Sequence, residues 1–233
     1  MDSNSGALAV DSAALAASIG AAVLYSAKVR SPPSRLRMVV KTSSTALLSA
    51  VAAMRGGPLL LVGALALGAI GDAFLAWDDE TSFLCGLGSF LVAHILYIAA
   101  FTQTDMGRET WHEILLGGTW RTFAAGALAL LVPIMIFLLI PRISHALRPP
   151  VVVYSLVISV MALVALTLGS TQVVSGALMF TSSDSILAAE KFLVSPASSH
   201  RAWMQHAVWI LYYSGQLLIA LGLLSLGPAT SYA

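Results

Sequence analysis

The chain has 233 residues, of which 58% are hydrophobic and only 10% charged, and its net charge is +1. A water-soluble domain carries about 25% charged residues, so a soluble globular enzyme is excluded; low charge and high hydrophobicity also exclude a disordered chain, and the balance of signs leaves no basic face for nucleic acid. The single cysteine, Cys85, cannot close an internal disulfide, and no Cys/His spacing fits a zinc site.

What remains is an all-α polytopic membrane helix bundle. Apolar runs of about 20 residues match a hydrocarbon core of about 30 Å. They lie near 7–27, 38–54, 58–77, 82–102, 121–140, 150–168, 171–189 and 203–226, about eight transmembrane helices in a single membrane domain over 1–233. The runs are apolar all round, without the alternation a β-barrel needs. The first span is alanine-rich, and its Asp11 reads as structural or wetted near the chain end. The stretch before it has no basic region, so it does not read as a signal peptide. The second span opens on Lys41, Thr42, Ser43, Ser44 and Thr45, where the long lysine stem suits snorkelling to the headgroups. The third carries Gly68, Gly71 and Asp72, a small-residue face that lets another helix come close to the aspartate. A solvated Asp78-Asp79-Glu80 turn leads into the fourth. There Phe83, Leu87, Phe90, His94, Tyr97 and Phe101 form one stripe at spacings of four and three. The fifth contains Pro133 and the sixth Tyr154. In the seventh, Gly176, Phe180 and Asp184 share a face, and Ser182, Ser183 and Ser185 are placed to hydrogen-bond the aspartate. The last puts Gln205, Trp209, Tyr212 or Tyr213, and Gln216 on one side.

Basic residues set an orientation. With the first loop cytoplasmic, Lys28, Arg30, Arg35, Arg37 and Lys41 lie inside together with Arg142, Arg148, Lys191 and Arg201. That leaves three of the 12 Lys and Arg on the other face. The positive-inside rule then puts both termini outside. At 1.5 Å per residue, Asp72 and Asp184 each lie roughly 9 Å below the cytoplasmic surface. Tyr154 and Lys41 lie roughly 5–6 Å deep, and His94 roughly 18 Å. An ionisable group in hydrocarbon costs about 2.5–3.5 kcal/mol on the gentlest scale, so two aspartates at equal depth point to a site. A secondary transporter or a lipid-binding membrane protein with a buried carboxylate site is the alternative reading. A transporter would show an inverted repeat with broken helices in matching halves, and none is visible; Pro133 has no counterpart.

The run Gly71-Asp72-Ala73-Phe74-Leu75, followed by Phe83-x-x-Gly86-Leu87-x-x-Phe90-x-x-x-His94-x-x-Tyr97-x-x-x-Phe101, resembles the YhhN family of lysoplasmalogenases. Tyr154 with Ser159 and Met161, Gly176-Ala177-Leu178-x-Phe180-x-x-Ser183-Asp184, and Tyr212-Tyr213-x-x-Gln216 extend the resemblance from about Lys41 to Gln216. One departure stands out: Lys41 is followed by Thr42 where the family often has proline.

The resemblance implies an integral membrane hydrolase of lysoplasmalogens; the lack of a readable signal or transit peptide suits the endoplasmic reticulum of a eukaryote or the inner membrane of a bacterium. The vinyl ether of 1-alkenyl-glycerophosphocholine or -ethanolamine is split by water into a fatty aldehyde and the glycerophospho-base. No metal or organic cofactor is implied, and the partners are the single-chain lysolipid and membrane lipids. The chemistry needs a proton on the β-carbon and a negative group to stabilise the resulting oxocarbenium ion, as in glycosidases. Asp72 and Asp184 are the catalytic candidates, converging closely enough to share a proton. Asp72 is favoured as the acid, because apolar surroundings suit a neutral carboxyl. His94, Tyr154 and Gln216 would position water or headgroup oxygens, with Tyr97 and Tyr213 in the same substrate-binding set. Lys41 would meet the lipid phosphate.

Overall fold

A computed structural model describes residues 3–104 and 108–225. The described residues form eight long helices and one short one: α1 (Ser3–Ser26), α2 (Arg35–Met54), α3 (Leu59–Phe74), α4 (Glu80–Gln103), α5 (Trp111–Leu116), α6 (Trp120–Leu139), α7 (Arg148–Leu166), α8 (Thr171–Phe192) and α9 (His200–Leu224). A 3₁₀ turn at Ile140–Arg142 extends α6. No strand occurs among the described residues beyond one isolated bridge between Arg108 and Leu168.

Each expected span overlaps a long helix; residue 226, the last of the final span, lies outside the described residues. Four helices are long and apolar enough to cross a membrane by themselves: α4, α6 with its 3₁₀ extension, α7 and α9. Two shorter apolar stretches, Val10–Ser26 in α1 and α3, fall below that length. Helices α2 and α8 are diluted by the polar residues that build the site described below. The chain is thus an all-helical integral membrane protein. The sequence reading had no place for α5. A Thr110–Glu113 capping box starts it, and its Ile114 packs against Ala125, Leu166 and Val174.

Helix ends follow their capping residues. Ser34, Asp79 and Ser170 each accept a backbone N–H from the first turn of α2, α4 and α8. The Ser82 contacts hold the Asp79 carboxyl below the usual carboxylate range. That stabilisation is present above the unfolded carboxyl's pKa and is lost as pH falls through the lower folded value. Asp79 thereby fixes the α3–α4 turn. Arg121 is buried; it donates to the Leu166 carbonyl and, at 2.8 Å, to that of Leu168, and pairs with Glu109 at 3.1 Å. It satisfies the carbonyl end of α7 rather than serving as a surface charge. Asp11 pairs with Arg55 at 2.6 Å and ties α1 to the end of α2, which is a structural role.

In a bilayer, helices gain little by hiding apolar area from lipid, so close packing through small residues decides the arrangement. Helices α8 and α9 approach backbone to backbone. A Cβ on Gly176 would stand 2.8 Å from the Gly215 carbonyl oxygen and 2.9 Å from the Ile219 nitrogen. A Cβ on Gly71 of α3 would meet the Phe90 ring of α4 at 2.6 Å. The main core joins α1–α4 with α7–α9, and it includes Leu48, Leu65, Tyr97, Phe101, Phe180 and Ile219. Helix α6 stands at the edge, with Phe123, Leu130, Ile134 and Phe137 exposed on its outer face.

Because the neighbours of Gly176 are backbone atoms that cannot swing away, Gly176→Leu should cost about 1–3 kcal/mol, the price of overpacking. Thermal unfolding in detergent checks this. Gly88→Ala, where nothing lies within 4 Å, should leave the midpoint in place.

Candidate active site

Six helices bring polar side chains to one region. Lys41 and Thr45 lie four apart on α2, as do Phe180 and Asp184 on α8 and Tyr212 and Gln216 on α9, so each pair shares a face. Asp72 comes from α3, His94 and Tyr97 from α4, and Tyr154 from α7. These residues form two clusters.

The first is centred on Asp72, which is 1% exposed. The Lys41 ammonium lies 3.2 Å from its Oδ1. Two hydroxyls donate to Oδ2, Thr45 at 2.8 Å and Tyr212 at 2.7 Å. One cation and two hydroxyl donors are the partners of a carboxylate anion. Behind Tyr212, the Gln216 amide donates to its hydroxyl at 3.4 Å, and Tyr97 donates to the Gln216 side-chain oxygen. Gly68 leaves room for this relay: a Cβ there would stand 2.9 Å from Gln216 Nε2.

The second cluster is centred on Asp184, whose side chain is 15% exposed. Tyr154 donates its hydroxyl hydrogen to Asp184 Oδ2. His94 Nε2 lies 3.0 Å from that hydroxyl and 3.9 Å from Asp184 Oδ2. Since the tyrosine uses its only hydrogen on the aspartate, it can only accept from His94. The ring proton therefore sits on Nε2. Nδ1 is buried without a partner among the described residues. The neighbouring serines do not serve Asp184: Ser183 donates to the Val208 carbonyl and Ser185 to that of Thr181.

No hydrogen bond joins Asp72 to Asp184 among the described residues. The Phe180 ring stands between the clusters, 4.8 Å from His94 and 5.2 Å from Tyr212 between ring centroids. What connects the two carboxyls is a cavity of about 260 Å³, lined by both of them and by Lys41, Tyr154 and Tyr212. Its far wall is apolar, from Leu131, Met135 and Leu139 of α6 and Val151 and Ile158 of α7. One cavity is thus lined by two carboxyls with different partners and by an apolar wall.

The expected residues therefore fall into three positions. Lys41, Asp72, Tyr154 and Asp184 line the cavity. His94, Tyr97 and Gln216 are fully buried; His94 touches Tyr154, Gln216 touches Tyr212, and Tyr97 touches Gln216. Tyr213 is turned away; its hydroxyl lies 2.7 Å from Ser18 of α1, and its ring stacks on Trp209. Tyr212 occupies the place expected for it. The spacing of Gln205, Trp209, Tyr212 and Gln216 at four, three and four selects Tyr212 over its neighbour. Thr45 was legible only as one more polar residue at the start of span two, although it lies one helical turn beyond Lys41.

The sequence profile of the YhhN family matches residues 36–223, a stretch that contains every residue of both clusters. Over 168 residues the chain is 32% identical to the lysoplasmalogenase TMEM86A of Bos taurus, covering 67% of this chain and 62% of that protein. It is 33% identical over 165 residues to the lysoplasmalogenase TMEM86B of Mus musculus and 32% identical to that of Homo sapiens, each match covering 71% of this chain and 63% of the relative. The match spans less than two thirds of the length of these relatives. No solved structure matches the chain. With the profile running from the start of α2 to the end of α9, the chain belongs to the YhhN family.

Proposed function

We propose that this protein is a lysoplasmalogenase, hydrolysing the vinyl ether of a 1-alkenyl glycerophospholipid to a fatty aldehyde and the glycerophospho-base. The observation that carries the reading is the single cavity lined by Asp72 and Asp184, with an apolar wall on α6 and α7. The names of the relatives point to the same substrate. All eight long helices cross the bilayer in this proposal, with the α3–α4 turn on the cytoplasmic side and both termini on the other. The clustering of basic residues at that end supports this orientation. The reaction then takes place just beneath the headgroups, where the vinyl ether of a single-chain lipid lies.

The partners of the two carboxyls assign the roles. Asp72, held by Lys41, Thr45 and Tyr212, acts as the fixed anion. Asp184, whose partners are the Tyr154 hydroxyl and the His94 ring rather than a lysine or arginine, acts as the acid. This reverses the preference drawn from local hydrophobicity alone. The Asp184 proton passes to the β-carbon of the vinyl ether, and the positive charge forms on the carbon bonded to oxygen. The Asp72 carboxylate stabilises that charge in a dry site, where a preorganised anion is worth most. Water adds to the cationic carbon and returns a proton to Asp184. The resulting hemiacetal collapses to aldehyde and alcohol. Tyr154 and His94 hold Asp184 in position, while Gln216 and Tyr97 hold Tyr212.

The direct test incubates purified protein with a lysoplasmalogen and with its acyl counterpart and assays fatty aldehyde. Aldehyde from the first is expected; none from the first overturns the reading. Asp184→Asn and Asp72→Asn should each lower turnover by at least about 10², the scale of general acid catalysis. Near-normal rates in both folded variants would end the two-carboxyl mechanism. A paired comparison separates the adjacent tyrosines. Tyr212→Phe removes a hydrogen bond to a charged group, worth about 1.5–3 kcal/mol, and should slow turnover by tenfold or more. Tyr213→Phe should keep most of the activity.

A further inference from the structure

The cytoplasmic end of the cavity carries a second set of polar groups that the chemistry above does not use. Arg37, in the first turn of α2, donates from Nη1 to the Ala76 carbonyl at 3.4 Å, and its Nε is buried without a partner among the described residues. Lys191, in the last turn of α8, holds its ammonium 4.6 Å from the centre of the Phe83 ring. Ala76 and Phe83 bracket the α3–α4 turn, so the two cations flank that turn, and both line the cavity. Neither is ion-paired among the described residues. Two other cations lining the cavity are neutralised: Lys41 by Asp72 at 3.2 Å and Arg201 by Glu190 at 2.6 Å. Two cations without an ion pair among the described residues thus line one cavity. Between them on the turn stand Trp77, 37% exposed, and the exposed Asp78, which also line the cavity.

We propose that the α3–α4 turn reads a zwitterionic lipid headgroup, with Arg37 and Lys191 on the phosphate and Trp77 and Asp78 on the amine. A guanidinium fork and an ammonium together suit a phosphodiester anion. An indole face beside a carboxylate suits an alkylammonium. Lys41 is committed to Asp72 and is not the phosphate ligand. The depth agrees: Asp72 lies four residues, roughly 6 Å of helix rise, below Ala76. A glycerol backbone spans that gap between vinyl ether and phosphate. The inference rests on the reading of this cavity as a lysoplasmalogen site, and it makes the enzyme selective for phospholipid over neutral alkenylglycerol.

The test measures binding, so it does not depend on turnover. Full-length protein in detergent is titrated calorimetrically with non-cleavable 1-alkyl analogues: the glycerophosphocholine, the glycerol 3-phosphate and the plain glycerol. Chain-free glycerophosphocholine serves as a fourth ligand. Wild type should bind the alkyl phosphocholine most tightly and the alkylglycerol at least about tenfold more weakly, the scale of charge-assisted hydrogen bonds. Arg37→Gln and Lys191→Gln should weaken both phosphate lipids about tenfold and leave alkylglycerol unchanged. Asp78→Asn should weaken only the amine-bearing lipid. Equal wild-type affinity for phosphocholine lipid and alkylglycerol would overturn the proposal, as would full discrimination in the Arg37 and Lys191 variants. Chain-free glycerophosphocholine binding as tightly as the lipid would overturn the lipid assignment. Headgroup discrimination without aldehyde release from the alkenyl lipid would defeat the catalytic reading and leave the headgroup site standing.

Discussion

A charged pair inside an apolar bundle constrains this molecule more than any other contact. Lys41 and Asp72 meet on neighbouring helices with almost no access to water. Taking two ions out of water costs several kcal/mol each, and their attraction offsets that only when the remaining lone pairs also find donors. The fold supplies those donors from two further directions, Thr45 one turn along α2 and Tyr212 from α9. Small residues on α3 make this possible, since Gly68 leaves the space that Gln216 occupies behind Tyr212. Removing any one donor would leave buried charge short of partners. The position of α2 against α3 and α9 is therefore set by this pair as much as by packing.

The second carboxyl is held by a different logic. Asp184 has a tyrosine and a histidine, and its side chain keeps a share of the cavity surface. It is held on one side only, and it also lines the cavity. Phe180 separates it from the Asp72 cluster and keeps the two carboxyls from collapsing into one hydrogen-bonded unit. One carboxyl ringed by donors and one open to the cavity is the asymmetry on which the proposed acid catalysis rests. The close backbone contact of α8 and α9 at Gly176 and Gly215 holds the ring that divides them.

The edge helix α6 contributes chain-sized apolar wall on one side and lipid-facing side chains on the other. Pro133 interrupts its internal hydrogen bonding. The polar clusters sit on the tightly packed helices and the hydrocarbon wall on the peripheral one. The polar clusters and the apolar wall are thereby separated between different parts of the bundle.

The sequence by itself determined the class of protein, the places of its long helices and most of its polar site. Twenty-residue apolar runs have only one use, and an aspartate in such a run needs a partner wherever the helix goes. Helical spacing alone could tie Tyr212 to Gln216 and Phe180 to Asp184. It could not say which carboxyl met the lysine, because that depends on which helices touch, and in a bilayer the contacts are chosen by the fit of small residues rather than by burial of apolar area. For the same reason local composition made Asp72 look the more neutral of the two, while the tertiary structure surrounds it with donors from α2 and α9. The turning of Tyr213 toward Ser18, the bonding of Ser183 and Ser185 to backbone instead of Asp184, and the two cations beside the α3–α4 turn that have no ion pair among the described residues were likewise settled only when the helices came together.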